Sequence, residues 1–146
     1  MTKPLRIGIA GLGTVGIGTL EVLSVHAETF ANRVTRPLTV TAVSARDWAR
    51  DRGVNLDKYE CFDNAVGMAY SDDVDVVVEL IGGSDGIAKD LIEAALANGK
   101  HVVTANKALI AIHGTALAMA AEESGVSLAY EAAVAGGIPI IKALRE

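Results

Sequence analysis

Short apolar runs along the chain alternate with stretches in which apolar residues recur every three or four positions. Leu5-Arg6-Ile7-Gly8-Ile9-Ala10 is such a run, bounded by Gly11, and Pro4 bars a helix from entering it. It reads as a buried strand. Val15, Ile17, Leu20, Val22, Leu23 and Val25 then predict a helix from Thr14 to His26 or a little beyond. Ala27 to Arg36 reads as a polar connection or frayed helix end, closed by Pro37. Leu38, Val40, Ala42 and Val43 form a second strand, and Asp47 to Lys58 is charged and irregular. A weak strand near Tyr59 to Phe62 and a short helix around Ala65 to Tyr70 come next.

The strongest strand is Val74 to Ile81, ended by Gly82-Gly83. Helical spacing of Ile87, Leu91, Ile92, Ala95 and Leu96 predicts a helix over Asp85 to Asn98, stopped by Gly99. His101 to Thr104 is another strand. Asn106 can cap a short helix that His113-Gly114 breaks, and Thr115 can cap a second running to Ser124. Val126 to Tyr130 closes the series of strands, and Pro139 opens a final helix. Strand and helix alternate throughout, which predicts an α/β fold: a doubly wound parallel sheet with helices on both faces.

Composition agrees. The 146 residues are 51% hydrophobic and 21% charged, enough for one core and too apolar for disorder. Fifteen glycines and few aromatics suit the close strand–helix packing of a parallel sheet. Thirteen Lys and Arg against 18 Asp and Glu give a net charge of −5 without a basic cluster, so neither nucleic acid nor a membrane surface is an expected partner. The single cysteine, Cys61, excludes an internal disulfide and suits a reducing cytoplasm.

Gly11-Leu12-Gly13-Thr14-Val15-Gly16 fits G-x-G-x-x-G between a strand and a helix. The first glycine permits the turn, the second lets a pyrophosphate approach the backbone, and the third allows close helix–strand packing. This points to a Rossmann-like dinucleotide-binding domain. The second strand ends Val43-Ser44-Ala45-Arg46-Asp47. Arg46 can pair with a ribose 2′-phosphate, and Asp47 can instead accept from ribose hydroxyls; the alternative is an exposed Arg–Asp pair. The reading leans to NADP and leaves NAD open.

Ligands of open α/β sheets bind outside the carboxyl ends of the strands. Glu79-Leu80-Ile81-Gly82-Gly83 lies at one such end, where Ile81 and Gly82 let a cofactor lie against the backbone and Glu79 needs a partner such as a loop amide. Thr104-Ala105-Asn106-Lys107 ends the next strand on the same rim. Lys107 can hold a carboxylate or relay a proton, and the helix dipole disfavours a cation at that first turn, which argues for a functional rather than a stabilising role. His113 reads as a turn or helix-end residue. Glu131 to Pro139, with its small residues and glycine pair, reads by spacing as a hinge in preference to an all-oxygen cation site.

Taken together these segments resemble homoserine dehydrogenase. The resemblance rests on Gly11 to Gly16, Glu79 to Gly83, Val103-Thr104-Ala105-Asn106-Lys107-Ala108-Leu109, His113-Gly114 and Tyr130 to Ile141, and covers nearly the whole chain. It implies NAD(P)-dependent interconversion of L-homoserine and L-aspartate 4-semialdehyde, on the route to threonine, methionine and isoleucine. It also implies that Gly11, Leu12, Gly13, Thr14, Val15 and Gly16 hold the pyrophosphate and that Arg46 selects NADP. Ile81, Gly82, Thr104 and Lys107 would border the cofactor, with Lys107 beside nicotinamide and substrate in a proton relay. By the same resemblance Glu131, with the carbonyls of Val134, Gly136 and Ile138, would bind a monovalent cation, sodium, which turns the hinge reading toward a cation site.

The resemblance further implies a homo-oligomeric full-length protein and a substrate and dimerisation domain that these residues do not include. Residues 1–146 are then the NAD(P)-binding domain, with 131–146 the hinge and the start of the substrate and dimerisation domain. The apolar face begun by Ile140, Ile141, Ala143 and Leu144 breaks off within about two turns, as expected of part of a longer protein. Two other readings compete. One is another NAD(P) oxidoreductase of amino-acid metabolism, such as an aspartate dehydrogenase or dihydrodipicolinate reductase relative. The other is a non-catalytic nucleotide-sensing module like those of potassium transporters, which place an acid after a short crossover where this chain has a late strand and Arg46.

Overall fold

A computed structural model describes residues 2–145. Met1 and Glu146, the outer limits of the expected domain, lie outside the described residues, as does the side chain of Ile141. The strands are β1 (Leu5–Ala10), β2 (Leu38–Ser44), β3 (Glu60–Phe62), β4 (Val76–Glu79), β5 (His101–Thr104) and β6 (Leu128–Ala129). The helices are α1 (Thr14–Val25), α2 (Ala27–Val34), α3 (Ile87–Ala97), α4 (Lys107–Glu123) and α5 (Ile140–Arg145), with 3₁₀ turns at Ala65–Tyr70 and Glu131–Ala133.

All strand pairs are parallel and their order is β3-β2-β1-β4-β5-β6. The chain winds outward from β1 in one direction through β2 and β3, then returns to build β4, β5 and β6 on the other side. The order therefore reverses between β1 and β4, and a crevice opens there at the carboxyl ends of the strands.

Each sheet face has its own core. On one, Leu91, Ile92 and Leu96 of α3, Leu109 and Leu117 of α4 and Met68 of the 3₁₀ turn cover Val77 and Val102. On the other, Leu12 and Leu20 cover Ile7, Ile9, Val43 and Val76. Central strands buried on both faces explain why β4 reads as an unbroken apolar run.

Two local expectations are corrected. Ala27 to Val34 is a full helix rather than a loose connection: Glu28 in its first turn and Arg33 in its last complement the helix dipole, and Thr35 ends it at φ 59°. Its apolar residues Ala27, Phe30, Ala31 and Val34 recur at helical spacing over only two turns, and the helix buries none of its residues. Likewise His113-Gly114 does not break α4, which runs unbroken from Lys107 to Glu123. An interior glycine costs only about 1 kcal/mol, and the buried side chains of Leu109, Leu117 and Ala121 hold the helix to the sheet.

Candidate cofactor-binding site

The reversal point holds a cleft of about 640 Å³, bordered by the glycine turn, the end of β2 and the end of β4. Gly11 sits at φ 100°, and a Cβ there would lie 2.6 Å from the Leu80 carbonyl oxygen. A Cβ on Gly16 would lie 1.9 Å from the Gly11 carbonyl. Neither position accepts a side chain. Gly13 differs, since nothing of the protein lies within 4 Å of where its Cβ would be. Gly13 is also the N-cap of α1 and supplies no side-chain cap. The first-turn amides of α1 thus meet an open space in which an anion gains from both the N–H groups and the helix dipole.

The next wall is the end of β2 and the loop beyond it. Ser44, Ala45, Arg46, Asp47, Arg50 and Arg52 line it, and Asp63 faces them from beyond β3. Three guanidinium groups against two carboxylates make this end of the cleft favourable to an anion. Arg46 stands in this wall, exposed. Asp47 shares the wall, but one of its carboxylate oxygens accepts from its own turn, at Ala49 N, 3.0 Å. Asp63 accepts from Trp48 Nε1 at 2.7 Å. The sequence does not single out Arg50 and Arg52, although three arginines fall within 46–52. Their irregular spacing on a loop carries no motif.

The third wall is Leu80, Ile81 and Gly82, directly after β4. It is shaped from beneath by Glu79, whose carboxylate is fully buried. One Glu79 oxygen accepts from the amides of Ile81 at 2.7 Å and Gly82 at 3.0 Å, and the other from Thr104 Oγ at 2.6 Å. Thr104 Oγ in turn accepts from Asn106 N at 3.0 Å. Asn106 caps α4 by accepting from Leu109 N at 3.2 Å and donates from Nδ2 to the Gly83 carbonyl at 2.6 Å. Every buried polar atom in this network has a partner, as burial demands. The network fixes the 81–83 loop to the start of α4.

Thr104 therefore supports the rim rather than lining it, because it is fully buried and its hydroxyl is committed on both sides. Lys107, the first residue of α4, is exposed on the same rim, outside the cleft lining. Thr14 and Val15 are exposed in the first turn of α1, and Gly16 is buried. His113, placed inside α4, meets Asp85 at 3.1 Å, and Ser84 Oγ donates to the same carboxylate at 2.8 Å. The Ser84 hydroxyl first, then His113, hold the Asp85 carboxyl below its ordinary range.

Glu131, Val134, Gly136 and Ile138 lie beyond β6 and are not part of the cleft lining. Glu131, Gly136 and Ile138 are exposed and Val134 is half-buried. The Glu131 carbonyl accepts from Val134 N at 3.1 Å and the Ile138 carbonyl from Ile140 N at 2.8 Å. One carboxylate with main-chain carbonyls is a hard, singly charged oxygen donor set, chemically suited to a monovalent cation.

Residues 11–131 match the family model described as homoserine dehydrogenase, NAD binding domain. The chain belongs to this family. The homoserine dehydrogenase of Pseudomonas aeruginosa is 51% identical over 146 residues, covering 99% of this chain and 32% of its own length. That of Bacillus subtilis is 40% identical, over 99% of this chain and 33% of its own. The crystal structure of a homoserine dehydrogenase from Thiobacillus denitrificans superposes with a TM-score of 0.89 at 46% identity, over 99% of this chain and 33% of that one. A hyperthermophilic archaeal homoserine dehydrogenase in complex with NADPH shares the fold, with a TM-score of 0.78 at 24% identity. The chain thus spans about a third of the length of the curated relatives it matches. It is a domain for a nicotinamide dinucleotide, and the cleft where the strand order reverses is where that fold holds one.

Proposed function

We propose that this chain holds NADP(H) for the interconversion of L-homoserine and L-aspartate 4-semialdehyde, as the cofactor-binding part of a homoserine dehydrogenase serving threonine, methionine and isoleucine biosynthesis. The observation that carries the reading is the uncapped start of α1 at Gly13, open to a cleft whose far wall bears arginines. When bound there, the nicotinamide supplies or takes up the hydride. Gly11 to Gly16 hold the pyrophosphate, with Gly13 and the first-turn amides of Thr14 and Val15 toward it. Arg46 would hold the 2′-phosphate, whose charge and shape a guanidinium matches. Ile81 and Gly82 give the cofactor a small backbone surface to lie against, held in place by Glu79 and Thr104. Lys107 acts at the rim, holding the substrate or relaying its proton.

A second reading, NAD, is favoured by Asp47 in the same wall, with a carboxylate oxygen left to accept from ribose hydroxyls. Glu131 and the carbonyls of Val134, Gly136 and Ile138 would hold sodium, while 131–146 forms the hinge toward a substrate and dimerisation domain. The full-length protein would be a cytoplasmic homo-oligomer acting on a small molecule, with no nucleic acid or membrane as partner. No helix among the described residues is long and apolar enough to cross a membrane.

Titration of the purified chain with NADPH and NADH in parallel, monitored by nicotinamide fluorescence, tests the reading. NADPH is expected to bind more tightly, and Arg46→Ala to remove about tenfold or more of that preference. Tighter NADH binding that survives Arg46→Ala would move the role to Asp47.

A further inference from the structure

Arg52 lies in the same arginine-bearing wall as Arg46 and Arg50 but is bonded differently. Among the described residues, the side chains of Arg46 and Arg50 make no hydrogen bond or ion pair, whereas the Arg52 guanidinium is committed in three directions. Its Nε donates to the Leu12 carbonyl at 3.1 Å, one Nη to the Arg50 carbonyl at 2.9 Å, and the other Nη to the Asp47 carbonyl. We infer that Arg52 is a positioning residue: it clasps the glycine turn to the 46–50 loop and sets the spacing between the pyrophosphate amides and the guanidiniums that read the 2′-phosphate. The inference rests on the reading of the cleft as an NADP site and deepens it.

The geometry stems from the peptide plane. In a trans peptide the C=O and the next N–H point to opposite edges. Holding the Leu12 carbonyl against Arg52 therefore turns the Gly13 N–H away from Arg52. The Gly13 amide belongs to the open glycine at the start of α1. At the other end of the clasp, Asp47 directly succeeds Arg46, and the Arg50 carbonyl is itself one of the bonded groups. One planar guanidinium thus orders both ends of the cofactor cradle. Lysine cannot replace it, because an ammonium lacks the fixed fork that meets three carbonyls at once.

Arg52→Lys and Arg52→Ala separate position from charge. Both are expected to bind NADPH about tenfold more weakly than wild type and to lose part of the preference for NADPH over NADH. In an Arg46→Ala/Arg50→Ala background, adding Arg52→Lys should leave the remaining preference unchanged, because the readers it positions are gone. Amide hydrogen exchange in the free chain should rise together at 11–16 and 46–52, with β4 and β5 still protected. Arg52→Lys that keeps NADPH affinity within about twofold of wild type would overturn the inference. So would a preference that falls equally in the doubly substituted background, since Arg52 would then read the phosphate itself. A wild-type chain that does not prefer NADPH overturns the NADP reading instead. The clasp is then judged by exchange alone: a joint rise at the two segments upholds it and unchanged exchange refutes it.

Discussion

The three glycines of the turn do different work, and substitution separates them. Gly16→Ala puts a methyl 1.9 Å from the Gly11 carbonyl oxygen, so the start of α1 and the glycine turn must move apart. Overpacking of this kind costs on the order of 1–3 kcal/mol, and urea unfolding should show it directly. Gly13→Ala meets no protein atom within 4 Å, and losing glycine at an N-cap costs only about 1 kcal/mol or less. Its stability should stay near wild type while NADPH binding weakens about tenfold or more, because the methyl occupies the cofactor's approach. A Gly13→Ala chain that binds like wild type would show that no ligand comes close to this backbone. Glu79 gives the opposite pattern. Glu79→Ala strips the acceptor from two amides and a buried hydroxyl, a loss on the order of 3 kcal/mol measurable by the same unfolding experiment. At this scale the glycine turn and Arg46 were legible because a motif or strand end fixes their place. Arg50 and Arg52 were not, because a loop without periodicity hides which side chains it turns inward. The sequence asked for a partner to Glu79, but its reach across to Thr104 needed the β4–β5 register, in which those two residues stand side by side.

Among the elements, β1 and β4 are tied at their amino ends by a charge pair far from the cleft. Arg6 donates through Nε and Nη2 to both carboxylate oxygens of Asp75, at 3.0 and 2.7 Å, and Arg6 N adds a bond at 2.9 Å. The Arg6 side-chain hydrogen bonds, with smaller backbone and charge contributions, hold the Asp75 carboxyl down at about 2 against an ordinary 3.8. A carboxyl whose value is lowered on folding contributes stability that is complete above its unfolded value and lost as pH falls through its folded one. Stability should therefore drop between about pH 4 and pH 2, and Asp75→Asn should flatten that part of the profile in urea unfolding measured across pH. The strands and the long helices were readable from period and from bounding glycines. Two helical features escaped: the apolar stripe of α2, Ala27, Phe30, Ala31 and Val34, is confined to two turns among polar residues, and Gly114 is outweighed by the anchors on either side of it in α4.

At the scale of the molecule, one rim of one sheet gathers the glycine turn, the arginine loop, the Ile81–Gly82 wall and Lys107, while the charge pair holds the opposite rim. The β3-β2-β1-β4-β5-β6 order puts the glycine turn at the reversal and β5, with Lys107 beyond it, next to β4. The alternation of strand and helix indicates the doubly wound parallel sheet, because parallel crossovers allow few arrangements, but the strand order itself comes from the structure. The chain is about a third of its relatives' length, and Lys107 stands outside the cleft that would hold the cofactor. The purified 146-residue chain is therefore expected to bind cofactor without reducing NADP in the presence of homoserine, as read from the absorbance of the reduced nicotinamide. Homoserine-dependent reduction by this chain would place a complete active site within it.

Whether a nicotinamide dinucleotide occupies the cleft between β1, β2 and β4 is decided by an amide-resolved NMR titration of the chain with NADPH. Saturable shifts are expected to concentrate at residues 11–16, 44–47 and 81–83, with Lys100 and His101 on the opposite rim unmoved. Absence of any saturable shift, or shifts centred on that opposite rim, would contradict occupancy of the cleft.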